Sequence, residues 1–230
     1  PQWRKLNPSG TAPSARTTHI AVFDATGSRM IVHGGYDGAD KNDTYALDVT
    51  TRYSEAWSTL SPTGTAPTAR SQAAGAFKAS TRKMYFQGGL VGANDYRNDL
   101  FELDLSTTNG ALTTLKAEDA AGNPPSRADH SMIFDSANNR LIIFAGYNGT
   151  NRLDTLWQWD VAGAAFTEIN DGVPPLFRQM HVAVYDPNNP RMVMWGGRAS
   201  TASADYLDDL WEFLTDLNPP TYFFDASDAA

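Results

Sequence analysis

The feature that most constrains the fold is a seven-residue pattern that occurs four times. The copies read RMIVHGG, KMYFQGG, RLIIFAG and RMVMWGG, and they begin at Arg29, Lys83, Arg140 and Arg191. Each has a basic residue, four mostly apolar residues and then two small ones. Such a run is typical of a strand buried on both faces, and its glycines mark a point where the backbone turns or is closely approached. Four copies at intervals of 51 to 57 residues predict a repeat protein.

Each copy lies within a set of predicted strands. A shorter strand, HIAVFD in the first repeat, precedes it across a four-residue polar turn, which predicts a hairpin. A third strand follows a loop of variable length, and a fourth is marked by a large apolar pair such as Trp57 and Leu60. A single four-stranded unit has one well-covered face at most, so we predict radial stacking of these all-β sheets around an axis.

The chain ends bear on how such a ring closes. We predict that residues 1–216 form a single propeller domain and that residues 217–230 form a tail supplying an extra or exchanged strand. The last repeat has only three clear strands, and Trp3 to Leu6 are predicted to complete it. In the alternative, TYFFD around Tyr222 is that outer strand, and the N-terminal strand pairs with the exposed edge of another molecule.

Composition excludes several classes of site. The net charge of −8 argues against binding nucleic acid or an anionic membrane through a general field. The chain has no cysteine, which removes disulfides, thiolate metal sites and cysteine nucleophiles. No apolar run approaches the ~20 residues of a membrane span, so we predict no membrane insertion.

Several of these features together resemble Kelch repeats. They are the apolar strand ending in two glycines, the loop ending in NDTY or NDLF, an aromatic residue in the third strand, a tryptophan in the fourth, and Pro-x-x-Arg before the next unit. The likeness covers nearly the whole chain, from Trp3 to Phe213. It implies a β-propeller of four Kelch-type four-stranded blades, with the first strand innermost and the tryptophan strand outermost.

Arginines and carboxylates recur once per repeat. The arginines are Arg16, Arg70, Arg127 and Arg178, and the residues just before the third strand are Asp43, Asp99 and Asp209, with Thr155 in the third repeat and Asp154 one position earlier. We interpret them as structural partners at the blade junctions, because a guanidinium can satisfy a carboxylate and loop carbonyls together. An anion-binding ring of arginines is the alternative, and the negative net charge disfavours it.

Two further patterns could suggest a metal. His19, His130 and His181 begin the innermost strand in three repeats, and three imidazoles near an axis could hold zinc. We interpret them instead as repeat residues hydrogen-bonded to neighbouring backbone. The loop with Asp37, Asp40 and Asp43 superficially suits calcium but lacks the spacing of an EF-hand loop. We predict no metal and no cofactor.

The variable loops after the glycines are the predicted binding region, because insertions are tolerated there. Candidate binding residues are aromatic, arginine or polar: Tyr36, Asp37, Tyr96, Arg97, Tyr147, Asn148, Arg152, Arg198 and Tyr206. They predict a non-catalytic interaction or scaffold module for a protein or glycan, with an extracellular or cell-surface location. Two alternatives remain: a surface or filament subunit that forms homo-oligomers by exchanging terminal strands, and a small mutarotase-like enzyme acting on a carbohydrate in the axial pocket.

Overall fold

The computed structural model describes residues 2–170, 172, 174–200 and 205–215, and every regular element in them is a β-strand. No helix in this part of the chain is long and apolar enough to cross a membrane. The predicted tail at 217–230, including Tyr222, lies outside the described residues.

Four antiparallel sheets follow one another along the chain, and each begins with the short strand of a predicted hairpin. We call them blades 1 to 4. After the short strand β1 (Ser9–Gly10), blade 1 comprises β2 (Ile20–Asp24), β3 (Arg29–Tyr36), β4 (Asp40–Asp48) and β5 (Ala56–Leu60). Blade 2 comprises β6 (Ala74–Lys78), β7 (Lys83–Val91), β8 (Asp95–Asp104) and β9 (Ala111–Lys116), and blade 3 comprises β10 (Ser131–Asp135), β11 (Arg140–Tyr147), β12 (Arg152–Asp160) and β13 (Ala165–Ile169). Blade 4 comprises β14 (Val182–Asp186), β15 (Arg191–Trp195) and β16 (Leu210–Leu214).

The first strands of the blades lie innermost. β2 contacts β6, β6 contacts β10, and β10 contacts β14, whereas the other strands of each blade follow outward in chain order. This arrangement of four blades confirms the predicted Kelch-type β-propeller. It brings the start of every inner strand, and the loop that follows every glycine pair, to the same end of the molecule.

In the described residues, the hydrophobic core consists of three layers, one between each pair of successive blades. Ile20 and Ile31 of blade 1 pack with Met84 and Phe86 of blade 2. The opposite face of blade 2 packs against blade 3 through Tyr85, Leu100, Leu141 and Trp159, and blade 3 packs against blade 4 through Ile142, Phe144, Met192 and Met194. Because side chains alternate between the two faces of a strand, each blade between two neighbours is apolar on both sides.

The prediction that Trp3 to Leu6 form the missing strand of the last blade is wrong. Trp3 is fully exposed, and residues 3–6 form no strand. β1 pairs in parallel with β5 at the outer edge of blade 1, through Ser9 with Ala56 and Gly10 with Trp57, and blade 4 keeps three strands in the described residues.

The N-terminal segment pairs with blade 1 because the repeated unit includes the connection that precedes each blade. NPSGTAPSAR before blade 1 closely matches SPTGTAPTAR before blade 2. Thr63 in the second copy bridges Ala111 of β9 in parallel, as Ser9 bridges β5. A side chain at Gly10 or Gly64 would collide with the facing carbonyl of Trp57 or Leu112. Each segment therefore belongs to the entrance of the blade that follows it.

Candidate interaction face

The glycine pair fixes where the chain leaves each sheet. The pairing of β3 with β4 shifts register between His33 and Gly35, and Gly35 has φ +99°. A Cβ atom there would lie 2.7 Å from the carbonyl oxygen of Thr17, so only glycine allows this close approach. The next residue, Tyr36, then exchanges two 2.9 Å backbone hydrogen bonds with Thr17.

The same exchange recurs in the other blades. Leu90 bridges Ser71, Tyr147 bridges Ala128, and Arg198 bridges Gln179. The residue after each glycine pair is therefore held by the connection that enters the same blade. These four sites define one end of the propeller, which we call the loop face.

Beneath the loop face, three of the four repeated arginines bind a carboxylate. Arg70, which is buried, donates to both carboxylate oxygens of Asp99 and to the carbonyl of Gly88 at 2.9 Å. Arg178 repeats these contacts with Asp209 at 2.6 and 2.8 Å, and this hydrogen bond is the largest cause that lowers the Asp209 pKa to about 2. Arg16 does the same with Asp43 at 2.5 and 3.0 Å.

Each of these side chains binds within the blade that its connection enters. The backbone of Arg70 instead reaches back to blade 1, where its N–H donates to Lys41 and its carbonyl accepts from Gly35. A single residue thereby links two blades.

The third blade departs from this pattern. Thr155 stands where the other blades have aspartate, and it accepts a 3.1 Å hydrogen bond from Arg127. Arg127 also donates to the carbonyls of Pro125 and Ala145 at 3.0 Å, and it is fully buried. Desolvation lowers the pKa of this guanidinium to about 9. The sequence reveals this exception through Thr155 alone.

Loops from successive blades contact each other on the loop face. The carboxylate of Asp40 accepts a 2.6 Å hydrogen bond from the backbone N–H of Gly92, which joins blades 1 and 2. Tyr96 of blade 2 meets Tyr147 of blade 3 edge to face, with ring centroids 5.6 Å apart. Gly149 lies directly against the Tyr96 ring, since a Cβ atom there would come within 2.8 Å. Three loops thus form one continuous surface.

Cations flank the tyrosines of this surface. The guanidinium of Arg152 lies 5.5 Å from the centre of the Tyr147 ring, and that of Arg198 lies 5.8 Å from the Tyr206 ring. Arg97 forms an ion pair with Asp95. Tyr36 and Tyr206 are exposed.

Two predicted polar binding residues have local partners. Asp37 accepts hydrogen bonds from Ser14 and Lys41, which lower its pKa to about 2. The side-chain oxygen of Asn148 accepts from the backbone of Thr150 and Asn151, at 2.9 and 2.7 Å, and so shapes its own loop.

The three inner-strand histidines occupy equivalent backbone positions, each with its Cβ against the second glycine of its own blade, but the burial of their side chains differs. His19 is exposed, whereas His130 and His181 are buried. His181 Nε2 lies 2.7 Å from Ser131 Oγ, and burial lowers its pKa to about 4. The pKa of His130 is also lowered by burial, and then by Arg127 and His181. In the described part of the chain, no three His, Asp or Glu residues form a group able to hold a metal ion.

Sequence reasoning missed a set of residues two positions after each repeated arginine. Thr18, Gln72, Asp129 and Met180 all have positive φ, between 52° and 59°. Asp129 is also desolvated, which raises its pKa to about 6. In the sequence, only their constant offset from the arginines could have identified these positive-φ positions, because their side chains have nothing in common.

Comparison with known proteins supports the resemblance to Kelch repeats. The sequence model described as the KLHDC2/KLHL20/DRC7 Kelch-repeats domain matches residues 1–119. Human Multiple epidermal growth factor-like domains protein 8 is 27% identical over 202 residues, which cover 83% of this chain and 7% of that protein. Human Host cell factor 1 is 27% identical over 212 residues, covering 85% and 10%. Host cell factor homolog hcf-1 of Caenorhabditis elegans is 26% identical over 228 residues, covering 91% and 28%. The chain thus spans less than a third of each of these relatives.

Proposed function

This chain belongs to the Kelch-repeat family, and from that premise we propose that it is a non-catalytic module that binds a protein partner through its loop face. Kelch-repeat propellers are typically protein-interaction modules. The partner chemistry we propose is an exposed polypeptide segment that lies across the loops of blades 1 to 3.

The observation that carries this proposal is the contact between loops of different blades. The Asp40–Gly92 hydrogen bond and the Tyr96–Tyr147 ring contact tie three variable loops together. Loops held in this way lose little conformational freedom on binding, which lowers the entropic cost of association. A surface that spans several blades also offers the area that a protein partner needs.

The side chains on this surface support a protein ligand. Tyrosine and arginine are the residue types that most often dominate binding energy at interfaces. Tyr147 and Arg152 are half-buried and already stacked, so both are partly ordered before a partner arrives. Tyr36 on blade 1 presents a more exposed ring within this surface, and Tyr206 presents another beside it on blade 4.

A groove at the turn end of the inner strands offers no acid–base pair to the axial-pocket enzyme. It has a volume of about 460 Å³ and lies between the inner strands of blades 2, 3 and 4. Its lining is mostly apolar, including Ala76, Met132, Ile133 and Phe134, and it contains no Asp, Glu, His, Lys or Arg. An acid and a base facing a sugar would need at least two such titratable groups there.

The experiment starts from a random peptide library displayed on phage and selected on the immobilised chain. Enriched peptides are then measured against Tyr36→Ala and Tyr147→Ala by titration. We expect each variant to weaken binding by about tenfold or more, which corresponds to about 1.4 kcal/mol. Asn188→Ala is the matched control, because Asn188 is exposed in a turn at the opposite end of the molecule.

Two results would contradict the proposal. One is that enriched peptides bind both tyrosine variants as tightly as the parent chain. The other is that Asn188→Ala weakens binding instead. A glycan array run with the same variants tests the glycan alternative, which gains support if oligosaccharides bind and peptides do not. The extracellular or cell-surface location stays a prediction.

A further inference from the structure

Among the residues that the structure describes, nothing covers one apolar face of the last blade. In blades 1 to 3, the side chains that point to the next blade are buried or half-buried at the first and third positions of the inner strand. In blade 4 these positions are Val182 and Val184, and each is 62% exposed. Trp195 and Leu210 extend the patch, since Val182 pairs with Trp195 and Trp195 with Leu210. We call this patch the blade-4 face.

The complementary face of the first blade is likewise uncovered by any described residue. Phe23 of blade 1 is 55% exposed, whereas Phe77, Phe134 and Tyr185 at the same position are half-buried against the preceding blade. Ala21, on the same side of β2, is exposed as well. Together with the half-buried Met30, these residues form what we call the blade-1 face.

Two backbone hydrogen-bond ladders cross the blade junctions. In the first, Gln72 N–H donates to Thr18 at 3.1 Å, Asp129 to Gln72 at 3.1 Å, and Met180 to Asp129 at 2.9 Å. In the second, the N–H groups of Gly35, Gly89 and Gly146 donate to the arginine carbonyl of the following blade, at 2.8 to 3.0 Å. Each ladder keeps a single direction of donation around the axis, and the two directions are opposite: the first donates to the preceding blade and the second to the following blade.

Each ladder ends in unmatched groups of opposite kind. Blade 4 presents the carbonyl of Met180 and the N–H of Gly197, and blade 1 presents the N–H of Thr18 and the carbonyl of Arg16. Across the residues that the structure describes, none of these four groups has a hydrogen-bond partner. A blade-1 end placed against the blade-4 face supplies both missing partners.

We propose that the blade-4 face binds the blade-1 face of a second copy of this chain, head to tail. The contact repeats the packing between successive blades within the chain, with apolar side chains in the middle and both ladders continued at the loop end. A contact between two blade-4 faces would not supply the Thr18 donor. The interface is therefore heterologous. It is independent of the loop face, which stays open in the assembly.

The test uses two single variants and their mixture in sedimentation velocity. We expect the parent chain to associate, giving a mass at least twice that of the 25.0 kDa chain. Val184→Asp and Phe23→Asp should each abolish or greatly weaken association, because a carboxylate cannot be buried in an apolar interface without cost. An equimolar mixture of the two variants should form a one-to-one dimer, since each retains the face that the other lacks.

Both substituted side chains are exposed, so the variants should keep the melting temperature of the monomeric parent. Tyr53→Asp is the matched control, because Tyr53 is also exposed and lies on neither face; it should associate like the parent. A parent chain that remains monomeric would overturn the proposal and assign the blade-4 face to another occupant, such as a further blade or an unrelated protein. Association that survives Phe23→Asp, or variants that fail to complement each other, would overturn it too.

Discussion

At the scale of single residues, the arginines after Pro-x-x show how one sequence motif acquires different energetics. Arg70 and Arg178 are buried with a carboxylate, whereas Arg127 is buried with a threonine hydroxyl and two carbonyls. A buried charge is costly unless it is paired and hydrogen-bonded. The third blade therefore carries an electrostatic penalty that the second and fourth avoid.

We predict that Thr155→Asp stabilises the protein. The new carboxylate would stand opposite Arg127 as Asp99 stands opposite Arg70, and a hydrogen bond to a charged group contributes about 1.5–3 kcal/mol. The measurement is the free energy of unfolding from urea titration. Asp99→Thr is the converse control and should lower this free energy, because it removes the carboxylate partner of Arg70. A loss of stability in Thr155→Asp would show that the site has no room for the carboxylate.

Acid should destabilise the fold between pH 6.5 and pH 4. Burial lowers the pKa of His33 and His181 from 6.5 to about 4, so the unfolded chain binds more protons than the folded chain in this window. Each histidine then lowers the free energy of unfolding by about 1.4 kcal/mol per pH unit as the pH falls. Asp129 acts in the opposite sense between pH 3.8 and about 6, because its pKa is raised in the folded state.

The variant Asp129→Asn separates the contribution of Asp129 to the pH dependence of stability from that of the histidines. The variant should be more stable than the parent at pH 7, where the parent must keep a desolvated carboxylate charged. It should also lose stability more steeply on acidification, because the opposing carboxylate is gone. Urea midpoints at pH 7, 6, 5 and 4.5 measure both effects. Equal slopes for variant and parent would mean that Asp129 titrates normally.

At the scale of elements, the two glycines of each pair have different roles. The first position takes φ near +60°, and Ala145 occupies it in blade 3 with φ +58°. The second position has φ between +99° and +105°, and a Cβ atom there would lie within 3.0 Å of backbone or Cβ atoms of the entering connection. A non-glycine residue therefore occurs at the first position only, and not every blade has room for it there, because a Cβ atom at Gly88 would lie 2.6 Å from the carbonyl oxygen of Arg127.

We predict that Gly35→Ala is much more damaging than Gly34→Ala. Alanine at position 34 bears mainly the cost of a left-handed conformation, about 1–2 kcal/mol. Alanine at position 35 adds a collision with the carbonyl of Thr17 and the side chain of His19, and we expect a loss of about 3 kcal/mol or more. Thermal and urea unfolding measure the pair. Similar losses would show that the entering connection can move away.

The elements also show what the sequence could predict. Three hairpin-linked strands in each of four repeats were readable, because apolar runs, glycine pairs and polar turns recur at fixed offsets. The pairing of Ser9 and Gly10 with β5 was not, because a two-residue parallel strand has no periodicity. Contacts between loops, such as Tyr96 with Tyr147, depend on how blades are placed side by side. No sequence offset encodes that placement.

At the scale of the whole molecule, the stability of each blade should depend on the blades that pack against it. Blades 2 and 3 are packed on both faces, whereas blades 1 and 4 each have one face partly open. In repeat architectures, stability is approximately a sum of the units and their nearest-neighbour interfaces. Amide hydrogen exchange should accordingly be slowest in β7 and β11 and faster in β14 to β16.

Ile133→Ala and Val184→Ala test this gradient at one repeat position. Ile133 is 5% exposed between blades 3 and 4, and its truncation should cost about 2–5 kcal/mol. Val184 stands at the same position on the open face, and its truncation should cost about 0.5 kcal/mol in protein diluted until it is monomeric. Urea titration measures both losses. Equal losses in the monomer would mean that the blade-4 face is covered within the chain.

If a second copy covers this face, the loss of stability for Val184→Ala should grow with protein concentration, because binding stabilises only the folded state that offers the face. The loss for Ile133→Ala should stay nearly constant.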